Sequence, residues 1–340
     1  MLLGLLVGLV LIAPLVAGYL IIIKTADRFE PEPWWLVGLM FLWGAFGATA
    51  LAMVGNLAGT AAFALALGAQ NPLLPGASAS VVAPLVEETT KGLGLLLLFL
   101  ASVFWLRELD GPLDGVIYGG MVGLGFTLTE DLLYVSSQVA EEGLASGLLL
   151  LLLRTVLAGL GHASFTAMTG LGFGLAVIVR APPLKLLLPL LGWGTAVGLH
   201  GLHNLLVSFF GPFGFLVKLV GFWCFDALFF VLLLLLVLQD RRIVWLGLRD
   251  EVGQLLHPFE LHHTTSLKML LPFWNDFSLS RGQGGSYAQR RAKQLALVEL
   301  AFLKQRRQRG ESGPALDGRE TRLREQIAAA NRQGVLVGAA

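Results

Sequence analysis

Apolar runs, each about as long as a bilayer crossing, alternate with short polar loops from residue 2 to residue 238. A helix needs roughly 20 apolar residues to span the hydrocarbon core. Seven runs meet that pattern: Leu2–Ile23, Trp34–Gly68, Ala79–Leu106, Gly115–Val135, a run ending at Val179, Leu186–Phe210 and Phe215–Leu238. The predicted fold is therefore an all-α polytopic membrane protein with about seven transmembrane helices in a bundle. Trp34–Gly68 is too long for one straight crossing and contains Asn56, so it tilts, breaks at Gly55 or forms a hairpin. The fifth run begins near Leu144 with LASGLLLLLL, which reads as interfacial, and its crossing proper starts near Arg154. Met1–Ile23 lacks the basic start and small-residue cleavage site of a secretory signal, so it reads as an uncleaved first span.

Charge divides the chain in two. Residues 1–238 carry 8 Lys+Arg and 13 Asp+Glu, whereas residues 239–340 carry 16 and 10. The first part is a membrane body and the second a basic tail. Within the tail, Ser286–Arg309 has helical patterning, with apolar residues at Leu295, Val298, Leu300, Phe302 and Leu303. A turn signal, GESGPALDG, separates it from a second candidate helix, Arg319–Gln333. The pair predicts a helical hairpin over about 286–333. Its Arg306, Arg307 and Arg309 suit anionic lipid, and no nucleic-acid-reading module is present. The loops after the odd-numbered runs hold Lys24, Arg28, Arg107, Arg180, Lys185, Arg241 and Arg242, and only Arg154 and Lys218 lie near the other side. Basic loops stay inside, which places the N-terminus outside and the tail in the cytoplasm. A single cysteine, Cys224, excludes an intrachain disulfide.

Several polar residues interrupt the apolar runs. The third carries Glu87, Glu88 and Lys91 in EETTK, and the fourth carries Glu130 and Asp131. The fifth has His162, Ser164, Thr166 and Thr169; the sixth has His200, His203 and Asn204; the seventh has Asp226. An acidic group at a membrane-helix centre costs about 2.5–3.5 kcal/mol, so such residues mark function by default. Counting at 1.5 Å per residue, Glu87 and His162 lie roughly 12 Å from one membrane face. On the same count Glu130, His200 and Asn204 lie about 10, 15 and 9 Å from that face. Carboxylates, imidazoles and an amide from four helices thus share one layer. His200 and Asn204 are spaced i, i+4, as are Glu87 and Lys91, which predicts a Glu87–Lys91 ion pair. His203 and Asp226 read as packing residues, and Ser164, Thr166 and Thr169 as residues that bond backbone or pack small interfaces. Glycines 119, 120, 123, 125, 161, 170 and 172 allow close helix approach.

These motifs resemble a known family. EETTK matches an EExxK signature; Phe126 and Glu130 match FxxxE; Gly161-His162 with SFTAMTGLGFG matches a histidine segment; His200 and Asn204 match HxxxN. In this order and spacing the body resembles the PrsW-type glutamic intramembrane proteases, distant relatives of the CAAX prenyl endopeptidases and Abi proteins. Asp131 stands where that family more often has Asn. The resemblance implies a multi-pass protein of the bacterial plasma membrane. It also implies site-1-type cleavage of a single-pass membrane protein, such as an anti-sigma factor, with release of a stress response.

Peptide hydrolysis needs a base for water, a donor for the oxyanion and an acid for the leaving amine. The resemblance implies Glu87 as base. Glu130 or His162 would hold the same water and shuttle the proton, Glu88 completes the catalytic doublet, and Asn204 with a His200 N–H would face the oxyanion. Lys91, Phe126 and Asp131 would support them. No G-x-S-x-G is present and Cys224 has no nearby histidine, which disfavours serine and cysteine chemistry. No cofactor is expected on this reading. One alternative is a metal-dependent membrane hydrolase with Glu87, Glu130, His162 and His200 as ligands to a divalent ion, although HExxH is absent. Another is a proton-coupled transporter, which the lack of an internal repeat disfavours.

Overall fold

The computed structural model describes residues 2–267 and 271–338, without the side chains of residues 211, 212, 215, 218, 222 and 272. Lys218, one of the two basic residues counted near the second membrane side, is thus a side chain outside the described residues. The described residues are helical, and an isolated bridge between Val252 and Leu256 is the one β contact among them. They form two compact units, Met1–Lys24 with Glu32–Leu233, and Thr25–Pro31 with Leu234–Ala340.

The first unit begins with α1 (Leu2–Ala26) and α2 (Trp34–Leu67). The latter is one helix of 34 residues, neither broken nor a hairpin, widened by a π-helical stretch at Trp43–Ala48. Next come α3 (Leu74–Leu106), α4 (Pro112–Glu142) and α5 (Leu144–Leu151, continued by a π-helical turn to Val156). After a break at residues 157–160 follows α6 (Gly161–Ile178), then α7 (Pro182–Leu248). Five stretches are long and apolar enough to cross a membrane among the described residues: Leu2–Ala26, Trp34–Leu67, Leu74–Leu106, Leu144–Ile178 and Leu219–Glu251. The other two expected crossings correspond to α4, which carries Asp114, Glu130 and Asp131, and to the first part of α7.

α7 reverses within itself. The Phe165 ring lies 5.3 Å from the His200 ring and 5.8 Å from that of Phe225. A straight helix would hold those two residues roughly 37 Å apart. The reversal falls near Gly214, where a Cβ would come within 2.0 Å of Leu206 O.

α4 is the axis of the unit, buried without interruption from Pro112 to Thr127. Asp114 starts it, its Oδ2 accepting from Gly111 N at 2.7 Å and Asp110 N at 3.0 Å, with Pro112 in the first turn. Glycines make its burial workable. A Cβ on Gly115 would lie 2.1 Å from Gly170 O, and one on Gly123 would lie 2.3 Å from His162 O. α4 and α6 therefore meet backbone to backbone, which brings His162 alongside the acidic end of α4.

The second unit has its own core. It contains α8 (Pro258–Thr265), α9 (Pro272–Ser280), α10 (Tyr287–Gln308) and α11 (Pro314–Arg332). Leu297, Val298, Leu300, Ala301 and Leu303 of α10 are buried with Leu323 and Ile327 of α11. Leu295, expected in the apolar cluster, is 37% exposed; Leu297 takes the inward position instead. Lys293 and Glu260 form a fully buried ion pair at 2.5 Å, and Val337 N and Val335 O complete their hydrogen bonding.

Candidate active site

Six segments of the first unit line a cavity of about 240 Å³. α3 supplies Glu87, α4 Glu130 and Asp131, α6 His162 and Phe165, and α7 His200, His203 and Asn204. Asn56 comes from α2 and Arg154 from the π-helical turn after α5. The four helices expected to converge thus do so on one cavity, and the packing histidine His203 lines it as well.

The glutamate doublet splits into two unlike carboxylates. Glu88 has no exposure and every bond it needs: Lys91 Nζ at 2.8 Å and His200 Nδ1 at 3.0 Å on Oε1, Thr166 Oγ1 at 2.9 Å on Oε2. Glu87 accepts from Asn56 Nδ2 at 3.1 Å through Oε1. Its Oε2 is buried and receives no hydrogen bond from the protein. Lys91 Nζ stands 3.8 Å away from that oxygen and His200 Nε2 stands 3.9 Å away. The predicted Glu87–Lys91 ion pair is present at 3.8 Å, and the shorter contact of the ammonium is with Glu88 at i, i+3, at 2.8 Å. Thr166 and His200 fix Glu88 where the ammonium reaches it, and His162 pulls the ammonium the same way. Thr166 bonds a side chain and not the backbone.

Hydrogen-bond partners fix the imidazoles. An ammonium has only hydrogens to offer, so His162 Nδ1, 2.9 Å from Lys91 Nζ, is the acceptor. His162 Nε2–H then donates to Glu130 Oε2 at 2.7 Å. His200 Nδ1–H donates to the Glu88 carboxylate, and in the neutral ring Nε2 carries the lone pair, which faces Glu87 Oε2 3.9 Å away. The one N–H of the neutral ring is then the one given to Glu88. Asn204 gives one amide hydrogen to Ala79 O at 2.8 Å and keeps a second. The Phe126 ring packs 5.1 Å from His162 and 3.9 Å from Lys91 Nζ.

Arg154 was counted near the membrane face, and the structure places it in the site. Its Nη2 reaches Glu130 Oε2 at 2.8 Å and its Nε reaches Asp131 Oδ1 at 2.7 Å, while Asp131 Oδ2 accepts from Thr155 at 2.8 Å. The guanidinium stacks 4.1 Å from the Tyr134 ring. The break at residues 157–160 means that counting residues from Arg154 to His162 does not measure depth. Asn56 was the other omission, and its polarity inside an apolar run was the available signal.

Glu87, His162 and His200 each offer a ligand atom, all within 4.8 Å of one another. In number and span they suit a small cation. In hydrogen bonding they do not: both His162 nitrogens are engaged, and the Lys91 ammonium already stands between His162, Glu88 and Glu87. A dication would have to displace it.

A model of the PrsW family, described as intramembrane metalloproteases, matches residues 32–237. Protease PrsW of Geobacillus kaustophilus (strain HTA426) is 30% identical over 151 residues, 44% of this chain and 58% of that protein. Protease PrsW of Shouchella clausii (strain KSM-K16) is 31% identical over 157 residues, 44% of this chain and 66% of that protein. The chain thus spans less than two thirds of the length of these relatives. No solved structure matches. The family match covers more than half of the chain and contains every cavity-lining residue named above, and with it the chain belongs to the PrsW family.

Proposed function

We infer that this multi-pass membrane protein is an intramembrane endopeptidase that hydrolyses a peptide bond of a membrane protein through a glutamate-activated water. The observation that carries the reading is Glu87 Oε2, a buried carboxylate oxygen without a hydrogen bond from the protein, lining the cavity 3.9 Å from His200 Nε2. A water seated there gives one hydrogen to Glu87 Oε2 and the other to His200 Nε2, which leaves its own lone pair for the scissile carbonyl carbon. Glu87 takes the proton as the C–O bond forms. The second Asn204 hydrogen meets the oxyanion, a contact typically worth 10²–10³ in rate. Glu87 returns the proton to the amide nitrogen as the C–N bond breaks. Glu88, itself bonded by Thr166, holds the His200 ring, and Lys91 with Glu130 holds that of His162. Arg154 pairs with both Glu130 and Asp131, whereas Glu87 Oε2 has no cation within hydrogen-bond distance.

The substrate class that the resemblance implies is a single-pass protein of the anti-sigma-factor kind, cut outside a bacterial plasma membrane, with the tail in the cytoplasm. Co-expression with tagged single-pass candidates, comparing wild type with Glu87→Gln, tests it: cleavage by the wild type alone supports the reading, and equal cleavage by both contradicts it.

A metal-dependent hydrolysis is the second reading, favoured by the Glu87, His162 and His200 cluster and by the family description. It requires Lys91 to leave its place and His162 to give up a partner. Chelator sensitivity separates the two. Family membership counts against a transporter.

A further inference from the structure

Helix α9 of the second unit turns an amide inward and aromatic rings outward. Its inward face holds Leu279 and Asn275. Asn275 is fully buried and exchanges two hydrogen bonds with Gln294, at 3.3 and 2.8 Å, and Ser278 Oγ lies 3.3 Å from His263 Nδ1. Its outward face is aromatic: Phe273 is 69%, Trp274 48% and Phe277 40% exposed, and their rings touch at 5.5–6.2 Å. Leu271, just before the helix, is exposed too. Rotating the helix to hide the rings would strand the buried amides of Asn275 and Gln294 without partners. The orientation is therefore built in, and a contiguous outward apolar face calls for a partner.

The unit itself points to the bilayer as that partner. It includes Thr25–Pro31, the chain leaving the first candidate span, and Leu234 onward, the end of the last. Residues at the lipid–water boundary thus belong to its fold. Arg28, two residues past α1, lies within electrostatic reach of Asp276 and Tyr287, which are joined by a 2.9 Å hydrogen bond. The exposed Arg281 guanidinium lies 4.3 Å from the Phe277 ring, a cation beside an aromatic face. Trp and Phe on one side with Arg at its edge is the composition of an interfacial helix on anionic lipid.

We propose that Pro272–Ser280 is an interfacial anchor. It seats Phe273, Trp274 and Phe277 in the headgroup–acyl boundary of the membrane that the body spans, with Arg281 on anionic headgroups. The anchor would hold the tail against the bilayer.

The test uses full-length protein in nanodiscs of mixed phosphatidylglycerol and phosphatidylcholine. On a Cys224→Ser background, a nitroxide is placed at Phe273→Cys or Phe277→Cys, both exposed, with exposed Gln326→Cys as the water reference. Power saturation should give labels at 273 and 277 that favour oxygen over a nickel chelate severalfold, and the reverse at 326. Arg281→Glu should lower that ratio at 277. Nickel access at 273 and 277 equal to that at 326 would overturn the proposal, as would dipolar broadening between copies, which would make a second chain the occupant. An unchanged ratio in Arg281→Glu would overturn the headgroup contact.

Discussion

Lys91 bonds Glu88 at 2.8 Å and stops 3.8 Å short of the Glu87 oxygen that faces the cavity. One carboxylate of the doublet is thereby paired and fixed, and the other stays available as a base. Both Lys91 and Glu88 are fully buried. Removing one partner of a buried pair costs about 3–5 kcal/mol because the other charge stays behind. Lys91→Met should therefore lower the thermal midpoint of the purified protein, and Lys91→Met with Glu88→Gln should recover part of the loss. A single variant as stable as wild type would contradict the pairing.

The α4–α6 contact makes a sharper structural prediction. A methyl on Gly123 meets His162 O at 2.3 Å and Ala163 Cα at 2.6 Å, so Gly123→Ala must push α6 away and move His162. A cost of about 1–3 kcal/mol is usual for such overpacking. Gly198, two residues before His200, has nothing within 4 Å of its Cβ position. Gly198→Ala should be neutral, or stabilising by up to about 1 kcal/mol. Thermal midpoints of the two variants, read beside cleavage, check the contrast.

Much of this site was legible in the chain. Glu87, Glu130, His162 and His200 were placed in one layer because a buried ionisable residue is expensive in lipid and helices alternate in direction. Partner choice was not legible. Positions i, i+3 and i, i+4 are both within reach of Lys91, and Thr166 and His162 of another helix decide between them. Arg154 reads as a residue near the membrane face because a helix break at residues 157–160 defeats any count of depth along the chain. In the second unit, α9 buries Asn275 beside Leu279 and exposes Phe273, Trp274 and Phe277, a choice between apolar positions that their pattern along the chain does not reveal.

The second unit should be acid-sensitive. Burial, with Arg28 nearby, pushes His263 down to about 4 from its usual 6.5. Its folded pKa lies below the unfolded one, so the unfolded chain binds the extra proton first. The stability it confers is present above about pH 6.5 and is lost as pH falls from there toward 4. Limited proteolysis of the tail should thus be faster at pH 5 than at pH 7, and His263→Gln should shrink the difference. Equal rates in the wild-type protein would contradict the assignment.

Because the cation among the site's ligands is the Lys91 ammonium, cleavage should survive dialysis against chelator. Loss on chelation, restored by a divalent ion, would move the account to the metal-dependent reading.

The most direct measurement is turnover of a cleavable single-pass substrate by purified Glu87→Gln beside wild type, with both proteins first checked for equal thermal stability. Glutamine keeps the size of the side chain and can still bond Asn56, but it cannot take a proton. The account predicts a fall of at least ~10²-fold, the lower end of what a general base contributes. Undiminished turnover by Glu87→Gln would contradict it.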